Sequence, residues 1–304
     1  MSLASQMVRQ VRARDPRAIA RAVTGVEDNE PWSDELLSLV GPVDDDSLVV
    51  GVTGPPGVGK STLVSRLVSC WREQKKRVGV VAVDPSSPFS GGAVLGDRVR
   101  MMEHALDPDV VIRSMSSRGR LGGLAAAAAG AARIMAVAGC RRILLETVGV
   151  GQSEMDVTRL ADVTMLVLAP GMGDAVQALK AGLVEAADLL VINKADYDGA
   201  HVLARQMESA AVFPRPLVMT VATTGQGVEH LLQTIDRVAE SIARSGDRGK
   251  RRQQAWATET MARLLDLLQP RLQQMLDSEA GTFSSEPRVA ARELLSRFFG
   301  GDQK

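Results

Sequence analysis

Short apolar runs alternate with helix-like stretches along most of the chain, and this alternation is the first guide to its fold. The runs are nearly continuous in Val, Ile, Leu and Ala rather than alternating with polar residues. Continuous runs are typical of parallel strands that helices cover on both faces. The sequence therefore predicts a doubly wound, mostly parallel α/β sheet with ligands at the carboxyl ends of its strands. The predicted strands are 47–54, 77–84, 110–115, 141–147, 162–170, 188–196 and 215–222.

Helical patterns extend the chain on both sides of this sheet. Residues 1–45 are interpreted as an N-terminal helical extension, with one helix from Leu3 to Val23 and a short second helix. The central domain is predicted over 46–245. Residues 246–304 then form an amphipathic helical arm.

Two features of the C-terminal arm leave alternatives open. The basic run 248–252 is interpreted as a solvated linker, with a binding patch as the alternative. An apolar stripe follows it, and this stripe either packs back on the central domain or pairs with a second subunit. Its members are Leu264, Leu265, Leu268, Leu272, Met275 and Leu276.

Charge and cysteine content exclude several classes of protein. Lys plus Arg and Asp plus Glu number 36 each, so the net charge is zero. A protein that binds nucleic acid or a membrane surface through bulk positive charge is therefore not expected. No apolar run approaches the roughly 20 residues of a membrane span. Two cysteines, Cys70 and Cys140, do not indicate a disulfide framework and suit a reducing cytoplasm.

The stretch GPPGVGKS, residues 54–61, has the composition of a P-loop. It follows a predicted strand and opens a predicted helix, so its backbone N–H groups can cradle phosphate oxygens at the positive end of the helix dipole. Lys60 would reach the β- and γ-phosphates and Ser61 would bind Mg²⁺. The alternative is a Gly-rich turn without a ligand. The predicted nucleotide-binding residues here are Gly54, Gly57, Val58, Gly59, Lys60, Ser61 and Thr62.

A second motif, NKAD, ends a late strand and indicates guanine as the base. The Asp196 carboxylate can accept hydrogen bonds from guanine N1–H and the 2-amino group, which adenine does not offer in that arrangement. Lys194 would lie across the base and Asn193 would tie loops together. One strand later, a backbone N–H at Ala222 or Thr223 could meet guanine O6. The alternative is a polar strand–helix loop.

Three acids at strand ends or in loops could hold a metal and position a water. Asp84 and Glu146 each end a predicted strand, and Asp97 lies in a loop. Mg²⁺ is usually bound by one or two carboxylates together with phosphate oxygens. For Asp97 the alternative is an ion pair with Arg98 or Arg100.

Four further stretches resemble the methylmalonyl-CoA mutase-associated GTPases: RDPRAIARAVTGVED, VAVDPSSPFSGGAVLGDRVRM, ETVGVGQSE and PGMGDAVQALKAG. The likeness covers roughly residues 10–245. It implies a P-loop GTPase that binds GTP, GDP and Mg²⁺ and forms a homodimer through C-terminal helices. It also implies a partner, an adenosylcobalamin-dependent acyl-CoA mutase, whose cofactor loading the GTPase gates and which it protects.

The resemblance assigns roles to particular residues. The three acids match the family's carboxylates around the metal and the attacking water. Asp174, Gln177 and Lys180 match a mobile loop that couples the nucleotide state to the mutase. The residues expected to carry catalysis are therefore Lys60, Asp84, Asp97, Gln177 and Lys180.

The segment after Glu146 departs from the pattern of most switch GTPases. No glutamine directly follows Gly149, and the first one is Gln152. The usual water-positioning side chain is therefore missing, so we expect slow intrinsic hydrolysis and a partner that completes the site.

Two other functions remain as alternatives at the level of sequence. One is an ATP-dependent kinase linked to arginine and ornithine transport, but such a kinase has no use for Asp196. The other is a nickel metallochaperone GTPase, which would call for a His and Cys cluster. The three histidines, His104, His201 and His230, are scattered along the chain.

Overall fold

A single parallel sheet organises the computed structural model, which describes residues 2–84, 102–116, 123–147, 153–172, 181–210, 215–278, 282 and 286–300. Its strands are β1 (Leu48–Thr53), β2 (Val78–Asp84), β3 (Val110–Ser116), β4 (Arg142–Thr147), β5 (Val163–Leu168), β6 (Leu189–Ile192) and β7 (Leu217–Met219). They lie in the order β3-β2-β4-β1-β5-β6-β7, and every neighbouring pair is parallel. The predicted doubly wound sheet and its seven strands are confirmed.

Helices cover both faces of the sheet. They are α1 (Leu3–Arg12), α2 (Pro16–Glu27), α3 (Ser33–Val40), α4 (Lys60–Glu73), α5 (Gly123–Val137), α6 (Ser153–Leu160), α7 (Ala181–Ala186), α8 (Ala200–Ala210), α9 (Val228–Arg244), α10 (Asp247–Ser278) and α11 (Pro287–Gly300). Along β1, Val49 joins the buried cluster under α1, α2, α3 and α5, whereas Val50 and Val52 join the cluster under α4 and α9. Because alternate residues of β1 face the two buried clusters on opposite sides of the sheet, the sequence of the strand is continuously apolar.

The N-terminal segment corrects one prediction. The single helix expected from Leu3 to Val23 is wrong, because α1 ends at Arg12 and α2 begins at Pro16. The Asp15 carboxylate accepts hydrogen bonds from the N–H groups of Arg17 (2.8 Å) and Ala18 (3.2 Å). Proline at the first helical position needs no N–H partner, but it cannot continue a preceding helix. The Asp-Pro pair therefore ends one helix and starts the next.

The basic run at the start of the arm corrects a second prediction. Residues 248–252 are not a solvated linker, because they lie in the first turns of α10. Arg251 forms two hydrogen bonds with Asp188, at 2.6 and 2.7 Å, and this pairing raises the pKa of the guanidinium. Arg248 donates to the Ser47 carbonyl at 2.7 Å. Ser47 and Asp188 precede β1 and β6, so the arm is anchored to the amino-terminal edge of the sheet.

A buried carboxylate lies at the centre of this anchor. The Asp162 side chain, which precedes β5, is only 5% exposed. It accepts a hydrogen bond from Arg252 Nε at 3.0 Å and another from the Val49 N–H at 3.0 Å. Arg252 also donates to the Ser47 carbonyl at 3.0 Å. The interaction thus joins the arm, β1 and β5.

The apolar stripe further along α10 stays largely at the surface of this chain. Leu264, Leu265 and Leu276 are 46%, 44% and 41% exposed, while Ala262 and Asp266 are the buried residues of the helix. These three leucines are therefore not buried against the central domain. Among the described helices, none combines the length and the apolar character that a bilayer-spanning segment requires.

Removal of the Asp162 carboxylate is expected to destabilise the protein strongly. Asp162→Ala leaves the partly buried Arg252 without its main counter-charge, so we expect a loss of about 3–5 kcal/mol in the free energy of unfolding. Asp45 is the matched control, because it contacts the same arginine at 3.3 Å from a side chain that is 91% exposed. Asp45→Ala should cost less than about 1 kcal/mol. Equal losses in denaturant unfolding would contradict the buried anchor.

Candidate functional site

The loop between β1 and α4 follows a path that only glycine permits at two positions. Gly54 has φ +140°, and a Cβ there would overlap the Val167 carbonyl of the neighbouring strand. Gly59, which precedes α4, has φ +92°, and a Cβ there would lie 2.5 Å from Asn193 Nδ2. Positive φ combined with these close approaches excludes a side chain. The loop therefore passes tightly between β5 and the residues that follow β6.

Lys60 is folded over this loop at the start of α4. Its Nζ donates to the carbonyl oxygens of Gly54 at 2.6 Å and Pro55 at 2.9 Å, and the residue is 6% exposed. A cation is therefore held over the concave side of the loop, beside the positive end of the α4 dipole. Both features favour a bound anion.

Ser61 and Glu146 meet beside the loop. The Ser61 hydroxyl donates to Glu146 Oε1 at 2.6 Å, and both residues are buried. Because β4 lies next to β1, with Glu146 opposite Val52, the carboxylate is delivered to the point where the loop begins. Two hard oxygen donors at hydrogen-bond distance are the type of ligand that Mg²⁺ prefers, so these residues fit that ion.

Asn193 joins three segments at the carboxyl edge of the sheet. Its Nδ2 donates to the Val58 carbonyl at 2.8 Å, and its Oδ1 accepts from the Thr220 hydroxyl and the Ala222 N–H, both at 3.1 Å. The residue is 2% exposed. A single buried amide therefore fixes the β1–α4 loop and the loop after β7 relative to the end of β6.

The two residues that complete the NKAD motif differ in their surroundings. Lys194 has φ +56° and donates to the Gly57 carbonyl at 2.8 Å, so its stem runs toward the β1–α4 loop. Asp196 is exposed beyond the end of β6. A carboxylate in this position is accessible to a ligand that lies along the Lys194 stem.

The loop after β7 is held by a residue that sequence reasoning missed. Arg66 of α4 donates from Nε to the Ala222 carbonyl at 3.1 Å and from Nη2 to the Thr223 carbonyl at 2.8 Å. The Ala222 N–H is donated to Asn193, so of the two predicted amides Thr223 is the better candidate for a ligand. Sequence offers no signal for Arg66, because its partners are backbone atoms of a distant loop.

Several predicted site residues lie outside the described part of the chain. These are Asp97, Gln152, Asp174, Gln177 and Lys180. For Asp84 the structure describes the backbone, as the last residue of β2. The roles predicted for them stay predictions.

The histidines and cysteines do not gather into a centre within the described residues. No group of three or more His, Cys, Asp or Glu side chains there could hold a metal ion. His104 is instead packed against α4, with its Nε2 3.1 Å from the Ser65 hydroxyl. Cys70 and Cys140 are free thiols, and burial raises the pKa of Cys140 to about 11.

Comparison with known proteins gives one family. A model described as methylmalonyl Co-A mutase-associated GTPase MeaB matches residues 19–276. A putative GTPase of Pyrococcus abyssi is 45% identical over 251 residues, which cover 79% of this chain and 78% of that protein. The mitochondrial methylmalonic aciduria type A homolog of Mus musculus is 38% identical over 216 residues, 67% of this chain and 52% of that protein.

A solved structure with the same fold is named as a kinase rather than as a GTPase. The crystal structure of LAO/AO transport system kinase superposes with a TM-score of 0.69 at 27% identity, and the alignment covers 98% of this chain and 97% of that one. The likeness extends over the sheet and both sets of flanking helices.

Two glycines of the β1–α4 loop provide a test of the close packing around Asn193. Alanine at either Gly57 or Gly59 adopts a positive φ, which costs roughly 1–2 kcal/mol. Only Gly59→Ala also displaces the Asn193 amide, since a Cβ at Gly57 meets nothing within 4 Å. We expect Gly59→Ala to lose about 1–3 kcal/mol more than Gly57→Ala in denaturant unfolding without nucleotide. Equal losses would contradict the contact.

Proposed function

Because this chain belongs to the methylmalonyl-CoA mutase-associated GTPases and is therefore itself a GTPase, we propose that it is the GTP-dependent chaperone of an adenosylcobalamin-dependent acyl-CoA mutase. The observation that carries this proposal is the family match over residues 19–276, which spans the nucleotide-binding loops and most of the arm. The name of the mouse relative, which refers to methylmalonic aciduria, supports methylmalonyl-CoA mutase as the partner.

The β1–α4 loop is proposed to bind the phosphates. N–H groups from Gly57 to Ser61 surround the terminal phosphates, and the Lys60 ammonium leaves the loop carbonyls to contact the β- and γ-oxygens. The exchange is favourable because a charge-assisted hydrogen bond to phosphate is stronger than one to a neutral carbonyl.

The loops after β6 and β7 are proposed to read the base. Asp196 accepts from guanine N1–H and the 2-amino group, and the Lys194 stem covers the ring. The Thr223 N–H donates to O6. The exposed Asp196 and the Lys194 contact with Gly57 support this arrangement, because both sit at the edge where Asn193 joins the loops.

Ser61 and Glu146 are proposed as the residues that would hold Mg²⁺, Ser61 through its hydroxyl and Glu146 through its carboxylate. The 2.6 Å distance between the Ser61 hydroxyl and Glu146 Oε1 supports this, because it brings two oxygen ligands together beside the loop. When bound, this ion neutralises charge on the phosphate oxygens. Asp84 and Asp97 are proposed as further acids near the metal and the attacking water.

Hydrolysis is proposed to depend on the mutase. No glutamine directly follows Gly149, so the side chain that orients the attacking water in most switch GTPases is missing at that position. Lys180, together with Gln177, is proposed to enter the site when the mutase stabilises that position, which is a population shift. The affinity for the mutase would then depend on which nucleotide is bound.

The arm is proposed to join two subunits. Leu264, Leu265 and Leu276 expose apolar surface, and Trp256 on the same helix is 66% exposed. Large apolar side chains exposed at several places on one helix are compatible with a protein interface. The anchor at Asp162 fixes the arm to the sheet, so a dimer built on it would hold the two nucleotide sites in a fixed relation.

A second candidate function comes from the named solved structure, a transport system kinase. In that case the γ-phosphate would be transferred to a protein rather than to water. Incubation with γ-labelled GTP and, separately, with γ-labelled ATP distinguishes the two functions: free labelled phosphate indicates hydrolysis, and labelled protein indicates a kinase.

The proposed coupling is tested by GTP turnover with and without methylmalonyl-CoA mutase. We expect the mutase to stimulate the unmutated protein. Lys180→Ala should keep the slow basal rate and lose stimulation by at least about tenfold, since a cation inserted by a partner contributes about 10³–10⁵ in other GTPases. Lys75→Ala, an exposed lysine beyond α4, is the control and should be stimulated normally.

Two results would contradict this account. Absence of any effect of the mutase on turnover, together with no co-purification in either nucleotide state, would exclude the chaperone role. Full stimulation of Lys180→Ala would leave the role intact and exclude Lys180 as the inserted cation.

A further inference from the structure

Arg66 links the helix behind the P-loop to the loop after β7. Its Nε and Nη2 donate to two consecutive carbonyls, of Ala222 at 3.1 Å and Thr223 at 2.8 Å. The donor and its acceptors are 156 and 157 residues apart in sequence. A planar guanidinium with donors in a fixed fork suits two neighbouring acceptors, and lysine has no equivalent geometry.

The rest of this loop is a closed turn in which the Thr223 amide stays available. Val221 N–H donates to the Gln226 carbonyl at 2.9 Å, and the N–H groups of Thr224 and Gly225 donate to the Val221 carbonyl. The Ala222 N–H is donated to Asn193. Among the hydrogen bonds of the described residues, none uses the Thr223 N–H, and Thr223 is exposed.

Arg66 therefore holds both the peptide group that contains this amide and the peptide group that follows it. The Ala222 carbonyl belongs to the same peptide unit as the Thr223 N–H, and the two point in opposite directions because a peptide group is planar and trans. When Arg66 binds the carbonyl from α4, it turns the N–H away from α4. The second bond, to the Thr223 carbonyl, fixes the next peptide plane.

We propose that Arg66 is a positioning residue for recognition of guanine O6, acting through the Thr223 N–H. This inference rests on the guanine site proposed above and deepens it. It divides base recognition into two parts: Asp196, after β6, reads N1–H and the 2-amino group, and the Arg66-held loop reads O6. Loss of Arg66 lets the Thr223 peptide rotate and weakens only the second part.

The two parts of base recognition are distinguished with three nucleoside diphosphates. Their dissociation constants are measured by titration calorimetry. GDP carries every recognised group, IDP lacks only the 2-amino group, and 6-thio-GDP replaces O6 by sulfur, a weaker acceptor. In the unmutated protein we expect 6-thio-GDP to bind about tenfold more weakly than GDP, the equivalent of one hydrogen bond. In Arg66→Met that ratio should fall below about threefold, mainly because GDP binding weakens. The ratio of IDP to GDP should not change.

Arg215→Met is the matched control. Arg215 also donates to two consecutive carbonyls, of Val184 and Glu185, but at the opposite, amino-terminal end of β7. It should leave both ratios at their unmutated values. Arg66→Lys keeps the positive charge but lacks the guanidinium fork that reaches both carbonyls. We therefore expect an intermediate ratio of 6-thio-GDP to GDP dissociation constants. This variant also provides the measurement if Arg66→Met does not fold.

The outcomes distinguish this inference from the function on which it rests. An unchanged 6-thio-GDP ratio in both Arg66 variants would overturn the inference alone. So would an equal fall in the IDP and 6-thio-GDP ratios, because that pattern indicates general support of the site rather than a role at O6. Equal binding of GDP and ADP by the unmutated protein would overturn the guanine site itself.

Discussion

The buried amide of Asn193 is the interaction on which the geometry of the site depends. One side chain satisfies the Val58 carbonyl, the Thr220 hydroxyl and the Ala222 N–H, all in a position that water does not reach. Buried polar groups left without partners cost about 1–3 kcal/mol each, so this amide stabilises one relative arrangement of the three segments. Gly59 must lack a Cβ because this amide occupies the space. Arg66 also binds the loop after β7, so the loop is held by one side chain that accepts, Asn193, and by one that donates, Arg66.

The parallel sheet separates two tasks at its two edges. All carboxyl ends meet at one edge, where the P-loop, Glu146, Asn193 and the β7 loop converge. At the other edge Asp162 and Asp188 anchor the long helix α10 through Arg251 and Arg252. An arm anchored in this way would give a partner or second subunit a firm attachment without covering the nucleotide edge.

The sequence was sufficient for features that depend on local pattern. The seven strands follow from continuous apolar runs, and the P-loop follows from glycine spacing between a strand and a helix. It was insufficient where a residue acts through distant partners. The basic run 248–252 does not by itself indicate that its arginines pair with Asp162 and Asp188, which lie just before two strands. Arg66 binds backbone carbonyls, and every residue has a backbone carbonyl, so the amino-acid sequence does not reveal these partners. The break at Asp15-Pro16 carried a local signal, namely an N-cap residue before proline, that the apolar periodicity on either side concealed.

We propose that the Asp196 carboxylate makes this edge of the sheet specific for guanine, and a change of the base that the protein prefers is the sharpest test of this proposal. In Asp196→Asn the amide presents a donor to the guanine 2-amino group but matches xanthine, which carries an oxygen there. Binding of GDP and XDP to both proteins is measured by titration calorimetry. The account predicts that the variant loses about a hundredfold in GDP affinity, the equivalent of two charge-assisted hydrogen bonds, and gains affinity for XDP. Unchanged GDP affinity in the variant, with no gain for XDP, would contradict it.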